Sequence, residues 1–387
     1  MINRRLAAIG AALVASAVLL TACGTSGGGS SSSSASSENS ASSNALKATA
    51  KAKADAYMVA PTKVAGPTTA FDPGAGKAAV IGCGFTSAVC AAQARYGVEA
   101  LRAMGWDVPE AFDGQNSPQV ESGFIDRAVA DKLDGIILAS VDPSSIKAAV
   151  DRGIAAKLRI LCTNCASGAF NGKGVTDVAP DWTEQGRIGG WEVLSVRGEG
   201  AKVQTFADKQ FLSAVDRATG FQEIVKANCP ACQVKYQDFP SSDYGKAGPP
   251  LWNATLSANP KGTITDAVPH YDGMAITVAK TNVQAGRTEI ATGSYDGEPE
   301  AVTALVTGNP PYAWTVSNPV AYESYSGADL LGRMKAGQPL WTGSDKLPSV
   351  LITAANAKDY VVDGKPTYPA PAGDWQANFL KLWGKSA

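Results

Sequence analysis

The sequence predicts an α/β protein built as two doubly wound, parallel-sheet lobes joined by a hinge. Strand-length apolar runs alternate with helix-length amphipathic segments. The alternation pauses after Leu161 and restarts at Trp182, so the pattern is built twice. Asp134-Gly135-Ile136-Ile137-Leu138-Ala139 is almost continuously apolar, as a parallel strand covered on both faces must be.

The 387 residues are 18% charged and 45% hydrophobic with a net charge of -1, an ordinary soluble composition with material for two lobes. No basic patch or basic helix is present, which argues against a nucleic-acid partner. At the N-terminus, Arg4 and Arg5 precede the apolar run Leu6–Leu20, too short for a comfortable membrane span. Residues 1–22 therefore read as a signal peptide. Leu20-Thr21-Ala22-Cys23 resembles the lipobox of bacterial lipoproteins, which implies a lipidated Cys23; the alternative is a plain signal peptide with an incidental cysteine. Gly24–Asn44 is nearly all Ser, Gly and Ala, so 23–75 is expected as a lipidated cysteine and flexible tether. Within it Leu46–Tyr57 has the makings of a short helix, and the folded body is expected to start near Gly76.

Six cysteines remain: Cys83, Cys90, Cys162, Cys165, Cys229 and Cys232. An even number in an exported chain favours disulfides, each partner being close in sequence. The two C-x2-C pairs leave zinc binding or redox chemistry open as alternatives. Neither pair has a zinc-ribbon context, and no metal or cofactor is expected.

In order, Lys77–Gly82 reads as a buried strand and Ala91–Met104 as a helix with Ala94, Val98 and Leu101 on one face. Trp106–Phe112 follows as a strand. A helix starts at Ser117-Pro118 and turns Val120, Phe124, Ile125 and Val129 inward. After the apolar strand, Asp142-Pro143 leads into a helix over Ser144–Arg152, and Leu158–Leu161 is the next strand. The second series has helices at Trp182–Val196, Ser213–Ala227, Gly248–Ala258, Gly273–Gln284, Pro299–Thr307 and Ala321–Lys335. Between them lie strands at Ala201–Phe206, Val234–Phe239, Thr263–Ala267, Glu289–Thr292 and Tyr312–Val316. Two such lobes place a cleft between the C-terminal ends of their strands. The stretch EIATGSYDGEPEAVTAL is central, because Asp296 leaves a strand just before a helix, where open α/β sheets bind ligands. A turn or helix-capping role is the plain alternative for that Asp.

Several segments, in order and at matching spacing, resemble the ribose-type (type I, LacI-like) periplasmic substrate-binding proteins of ABC importers. They are Lys132–Leu138 with Asp142–Ser145, Asp181 with Gly186–Gly190, Gly198–Val203, Arg217-x2-Gly220-Phe221, Tyr271–Ala275 and Tyr295-Asp296-Gly297. The resemblance covers roughly Gly76 to Tyr360. It implies Rossmann-like lobes and a ligand held by Arg217, by Asp296 and by an aromatic face at Phe239. Polyols need acceptors, fork-shaped donors and flat apolar faces in a dry cleft, which those residue types supply. At other family ligand positions this chain carries Thr163, Asn164, Tyr271 and Ser317. Phe85 and Ser87 stand in the loop that supplies stacking aromatics in the family, and Trp182 is a further aromatic candidate beside the hinge. These departures point away from ribose itself and toward another sugar, a polyol-like metabolite or a partly apolar small molecule. By the resemblance, lobe one is 76–180 plus 318–341 and lobe two 181–317 plus 342–387, with the Pro- and Trp-rich tail packed on the outside.

The expected function is a monomeric, lipid-anchored, extracytoplasmic binding protein that passes a small polar ligand to an ABC permease. A ligand-sensing receptor of the same fold, docking on a membrane sensor, is the alternative. An enzyme is not expected: His270 is the only histidine, and no Gly-x-Ser-x-Gly, His-Glu-x-x-His or Gly-x4-Gly-Lys-Ser/Thr motif occurs. A thiol oxidoreductase at Cys229-Pro230-Ala231-Cys232 is disfavoured because the motif does not open a helix.

Overall fold

The computed structural model describes residues 33–165, 170, 172–209, 211–239 and 248–386. The signal segment, Cys23 and most of the Ser/Gly run lie outside the described residues. No helix among the described residues is long and apolar enough to cross a membrane. Ser42–Ala387 form one compact unit; of the unit 1–41, only the helical residues from Ser33 onward are described.

The first element corrects an expectation. Helix α1 runs Ser33–Asp55, well beyond the short helix foreseen, and the body begins at Ser42 rather than Gly76. Ala50 and Ala54 are buried against Leu194, Cys229 and Val203. An Ala-rich stretch makes a good helix and can pack closely, which is why a composition that reads as a tether folds here instead.

The first sheet holds β1 (Ala78–Gly82), β2 (Phe112–Asp113), β3 (Gly135–Ala139), β4 (Arg159–Thr163) and β5 (Val175–Val178), in the order β2-β1-β3-β4-β5 and all parallel. Helices α2 (Ala88–Met104), α3 (Pro118–Ala130) and α4 (Lys147–Ala155) connect them. The strand expected at Trp106–Phe112 shrinks to two residues. Pro109 offers no N–H to a ladder, and Trp106 and Val108 bury their side chains without one. Strand β5 was not foreseen.

The second sheet holds β6 (Lys202–Ala207), β7 (Gln233–Asp238), β8 (Asp266–Pro269), β9 (Ala291–Asp296), β10 (Trp314–Ser317) and β11 (Val350–Thr353), in the order β11-β10-β9-β8-β6-β7. Only β11, also unforeseen, runs antiparallel. Around this sheet lie α5 (Trp182–Arg197), α6 (Leu212–Asn228), α7 (Gly248–Ala258), α8 (Asp272–Gln284) and α9 (Pro299–Thr307). Strand β9 continues through Gly293 to Asp296 instead of breaking at the glycine. A side chain at 293 would collide with the Trp314 indole, so the glycine marks close approach within the sheet rather than a turn.

Helix α10 (Val320–Ala336) follows β10 but packs on the first sheet, its Leu330 and Leu331 sharing a core with Val80, Leu101 and Leu161. The chain thus crosses between the sheets after β5, after β10 and again before β11. At the first and last of these, Pro180 bridges Leu347. The tail divides. The hairpin of β12 (Val361–Val362) and β13 (Lys365–Pro366) stays beside α9, whereas α11 (Trp375–Leu382) returns to lobe one. The expectation that 342–387 belongs wholly to lobe two is therefore corrected. Phe379 and Trp383 are buried under Tyr322 and Tyr325 of α10, and the Trp383 Nε1–H donates to Asp329 at 2.8 Å. Phe379 and Trp383 are core residues, with Trp375 packed against them, rather than an outer layer.

Candidate functional site

The cleft between the lobes holds a cavity of about 500 Å³, lined from both sides. Every segment that reaches it leaves the C-terminal end of a parallel strand, where the loops of open α/β sheets converge.

From lobe two, α6 presents Arg217 and β9 ends on Asp296. The Arg217 Nη2–H donates to Asp296 Oδ1 at 2.7 Å, and both side chains are more than nine-tenths buried. Arg217 Nε–H donates to Gln185 Oε1 and Nη1–H to the His270 carbonyl, each at 2.8 Å. The guanidinium also lies 5.2 Å from the centre of the Tyr295 ring. These bonds occupy three of its five N–H groups and fix its plane. Gln185 in turn donates to Ser349 at 2.9 Å, tying Arg217 to the crossing before β11.

Asp296 sits at a φ of 106°, a region that costs strain for a residue with a side chain. Gly297 follows at a φ of 67°, and any side chain there would overlap Ser317 Oγ. The helix-capping alternative for Asp296 is not what the structure has, since Glu298 occupies the N-cap position of α9. Burial pushes the Asp296 carboxyl up, and Arg217 opposes that shift. Glu298 is raised to about 7 by burial and then by Asp296. Below them, Asp272 is raised well above the carboxylate range by burial, then by Asp296 and Glu298. It accepts from Tyr312 Oη–H at 2.8 Å and from the Glu298 N–H at 2.8 Å. His270 is lowered to about 3 by burial and then by Arg217, so it is neutral across the physiological range.

Lobe one contributes neutral groups. Ser87 comes from the loop after β1, Gln115 and Asn116 from the loop after β2, Ser140 from the end of β3 and Asn164 from the end of β4. Asn164 Nδ2–H donates to Ser140 Oγ at 3.2 Å, and Ser140 Oγ–H donates to Gln93 Oε1 at 2.6 Å. Gln93 Nε2–H reaches Glu323 at 2.9 Å, and Glu323 also accepts from Asn318, the residue just after β10. A buried polar chain thus runs from the lobe-one wall to the hinge. Burial raises Glu323 to about 8.

Of the ligand candidates singled out from sequence, Ser87, Asn164, Arg217, Tyr271 and Asp296 line the cavity. The others do not. Phe85 folds its ring over Gly82 and is partly exposed. Thr163 is buried at the end of β4, its methyl against Gly327 of α10. Trp182 is buried at the start of α5. Phe239, expected on a sugar face, belongs instead to the core with Phe206, Trp252 and Met274. Ser317 stands one layer back, its Oγ–H donating to the Asp296 carbonyl at 3.1 Å.

Sequence reasoning missed Gln115, Asn116, Ser140, Phe211, Ser213 and Glu298. Among the described residues, five of the eight with positive φ other than glycine line the cavity: Gln115, Asn116, Ser140, Asn164 and Asp296. Backbone strain therefore maps the site better than residue type does.

The six cysteines stand as local disulfides, with Cα separations of 5.8 Å for Cys83–Cys90, 5.5 Å for Cys162–Cys165 and 5.3 Å for Cys229–Cys232. The two C-x2-C pairs lie in different lobes, so they do not meet to form a zinc site. Cys83–Cys90 closes the loop that carries Ser87 into the cavity.

Two lobes built on mostly parallel sheets, three crossings between those sheets and a polar cavity between the lobes define a two-lobed solute-binding protein. The chain belongs to the periplasmic binding protein domain family, whose sequence profile matches residues 78–339. A sequence comparison with curated proteins gave no match. Among solved structures, a sugar ABC transporter protein from Yersinia enterocolitica is 20% identical with a TM-score of 0.68, over 82% of this chain and 99% of that one. An ABC transporter solute-binding protein from Mycobacterium smegmatis with bound glycerol is 20% identical with a TM-score of 0.66, over 77% and 100%. The Caulobacter myo-inositol binding protein bound to myo-inositol is 19% identical with a TM-score of 0.63, over 73% and 95%.

Proposed function

We propose that this protein captures a small polyhydroxylated solute, a sugar or polyol, between its lobes and delivers it to an ABC permease. The buried Arg217–Asp296 pair facing a cavity of about 500 Å³ carries the reading. It offers fixed N–H donors and a carboxylate oxygen side by side, the combination that vicinal hydroxyls match. Neutral amide and hydroxyl groups on the opposite wall complement a neutral ligand rather than an anion. The ligands named for two of the structural relatives, glycerol and myo-inositol, are of this class. In this reading Cys23 carries the lipid that holds the protein at the outer face of the membrane, and the chain works as a monomer.

A thermal-shift screen of the chain from Ser42 against sugars, polyols, nucleosides and aromatic metabolites tests the proposal, because a ligand of the folded state raises the melting temperature by mass action. The expected hits are sugars or polyols, and Asp296→Asn abolishes their shift. Hits confined to apolar or aromatic compounds would overturn it.

A further inference from the structure

Helix α2 begins at Ala88 with Ser87 in the N-cap position. Serine there normally turns its hydroxyl onto the free N–H groups of the first turn. Ser87 makes no such bond. Its hydroxyl instead reaches across the cleft and donates to Glu298 Oε1 at 3.4 Å. The same oxygen accepts the Val89 N–H at 3.1 Å, one of the first-turn groups that has no acceptor within its own helix. Helix α2 belongs to lobe one and Glu298 to lobe two, so a helix of one lobe is capped by a carboxylate of the other. The pairing is electrostatically sound, because the N-terminal end of a helix favours negative charge. Both sides are held firmly. The Glu298 N–H donates to Asp272 Oδ2 at 2.8 Å, and the Cys83–Cys90 disulfide closes the loop that presents Ser87 and Val89.

We propose that Glu298 is a closing latch, a positioning residue that holds the two lobes together across the cavity and sets how much of the cargo-free protein is closed. The latch rests on the reading that the lobes close around a solute. Its test uses no solute, so the two fail separately.

Apart from the helix end, the titratable groups coupled to Glu298 are Asp296 of β9, Asp272 of α8, Glu300 of α9, Tyr312 before β10 and Tyr368 after β13. Behind two of these acids stand cations, Arg217 on Asp296 and Lys280 on Glu300. Burial and then Asp296 raise the latched carboxyl from 4.5 to about 7. An opened cleft returns it to water and to the ordinary value near 4.5. The closed state therefore favours the protonated carboxyl: this contribution to closure is fully present below 4.5 and is lost as pH rises through about 7.

Amide hydrogen exchange of the full chain, corrected for intrinsic pH dependence, reads the latch at Val89, with mid-helix Ala94 as the internal control. Wild type, Glu298→Ala and Glu298→Gln are compared on either side of the transition. In wild type, Val89 is expected to be protected on the acid side and less so on the alkaline side. On the acid side Glu298→Ala is expected to lose that protection by up to about tenfold, the scale of one lost hydrogen bond. Glu298→Gln keeps an acceptor oxygen, so it should stay protected and lose the pH dependence. Small-angle scattering should show a larger radius of gyration for Glu298→Ala. Equal Val89 exchange in wild type and Glu298→Ala, or an unprotected Val89 in wild type, overturns the latch. So does Ala94 losing protection along with Val89, which assigns Glu298 to helix stability, or an unchanged radius of gyration.

Discussion

The two walls of the cavity are built on different principles. Lobe two supplies all the charged side chains among the described lining residues, Arg217, Asp296 and Glu298; Arg217 and Asp296 are fixed by each other and by polar groups behind them, and Glu298 is anchored through its backbone N–H to Asp272. Lobe one supplies only neutral groups there, and it aims them through the backbone, with left-handed residues at Gln115, Asn116, Ser140 and Asn164 and a disulfide under Ser87, while the chain from Ser140 through Gln93 to Glu323 backs two of them. One wall is held mainly by a charged pair, the other mainly by chain geometry. A charge buried in this way cannot lose its partner cheaply, whereas a neutral side chain on a strained backbone can be trimmed with little loss of fold. Lobe two should therefore couple binding to stability, and lobe one should separate them.

The largest expected effect tests that coupling. Arg217→Met leaves the Asp296 carboxyl buried without its partner and should cost about 3–5 kcal/mol in urea unfolding. Asn164→Ala, on the other wall, should cost about 1 kcal/mol or less while still weakening the thermal response to a bound sugar or polyol. Equal destabilisation by the two would break the distinction between the walls.

Next in size is the staple. Replacing Cys83 and Cys90 with serine releases a loop closed over a sequence separation of 7 and should cost about 2–3 kcal/mol by chain entropy. It should also abolish the ligand-induced rise in melting temperature, because Ser87 and Val89 are no longer held at the cavity. Replacing Cys229 and Cys232, at the far end of α6, should cost a comparable amount of stability and leave that rise intact. If both double variants respond to ligand alike, the lobe-one wall does not depend on its covalent closure.

The same division shows in what the sequence made legible. Asp296 stood out as a carboxylate at a strand end, and Arg217 and Tyr271 stood out through the family resemblance. Ser140, Gln115 and Asn116 did not, because what aims them is a left-handed backbone that these residue types do not announce. The alternating elements were clear wherever both faces of a strand are buried, as in β3. They were not where a glycine makes room for a tryptophan from the next strand, as at Gly293, or where a strand carries polar residues, as in β5. Phe239 was misplaced because an aromatic at a strand end looks the same whether it faces a ligand or Trp252. The α11 aromatics read as an outer tail because their partners on α10 lie some fifty residues earlier in the chain.

The smallest expected effect separates the two lobes by pH. Glu323 supports the lobe-one wall, and its folded pKa is raised from 4.5 to about 8. Its stabilising contribution is fully present below 4.5 and is lost as pH rises through about 8; from pH 7 to pH 9 the loss should be about 1–2 kcal/mol. His270 lies behind the lobe-two wall, and its folded pKa is lowered from 6.5 to about 3. Its contribution is present above 6.5 and fades as pH falls toward 3, so from pH 7 to pH 5 it should cost about 2 kcal/mol. Between pH 7 and pH 5 the Glu323 contribution rises as the His270 contribution falls, so the two nearly cancel there and thermal unfolding should fall off on the alkaline side only. Glu323→Gln should flatten the alkaline limb and uncover the His270 loss on the acid side. A glutamine can keep the chain intact if Gln93 turns its amide over, donating to Ser140 and accepting from residue 323. His270→Gln should leave the alkaline limb unchanged and let stability rise toward pH 5, since a neutral side chain there has no proton to exclude. If His270→Gln also changes the alkaline limb, the buried chain from Ser140 through Gln93 to Asn318 joins the two walls through the hinge, and they are not independent.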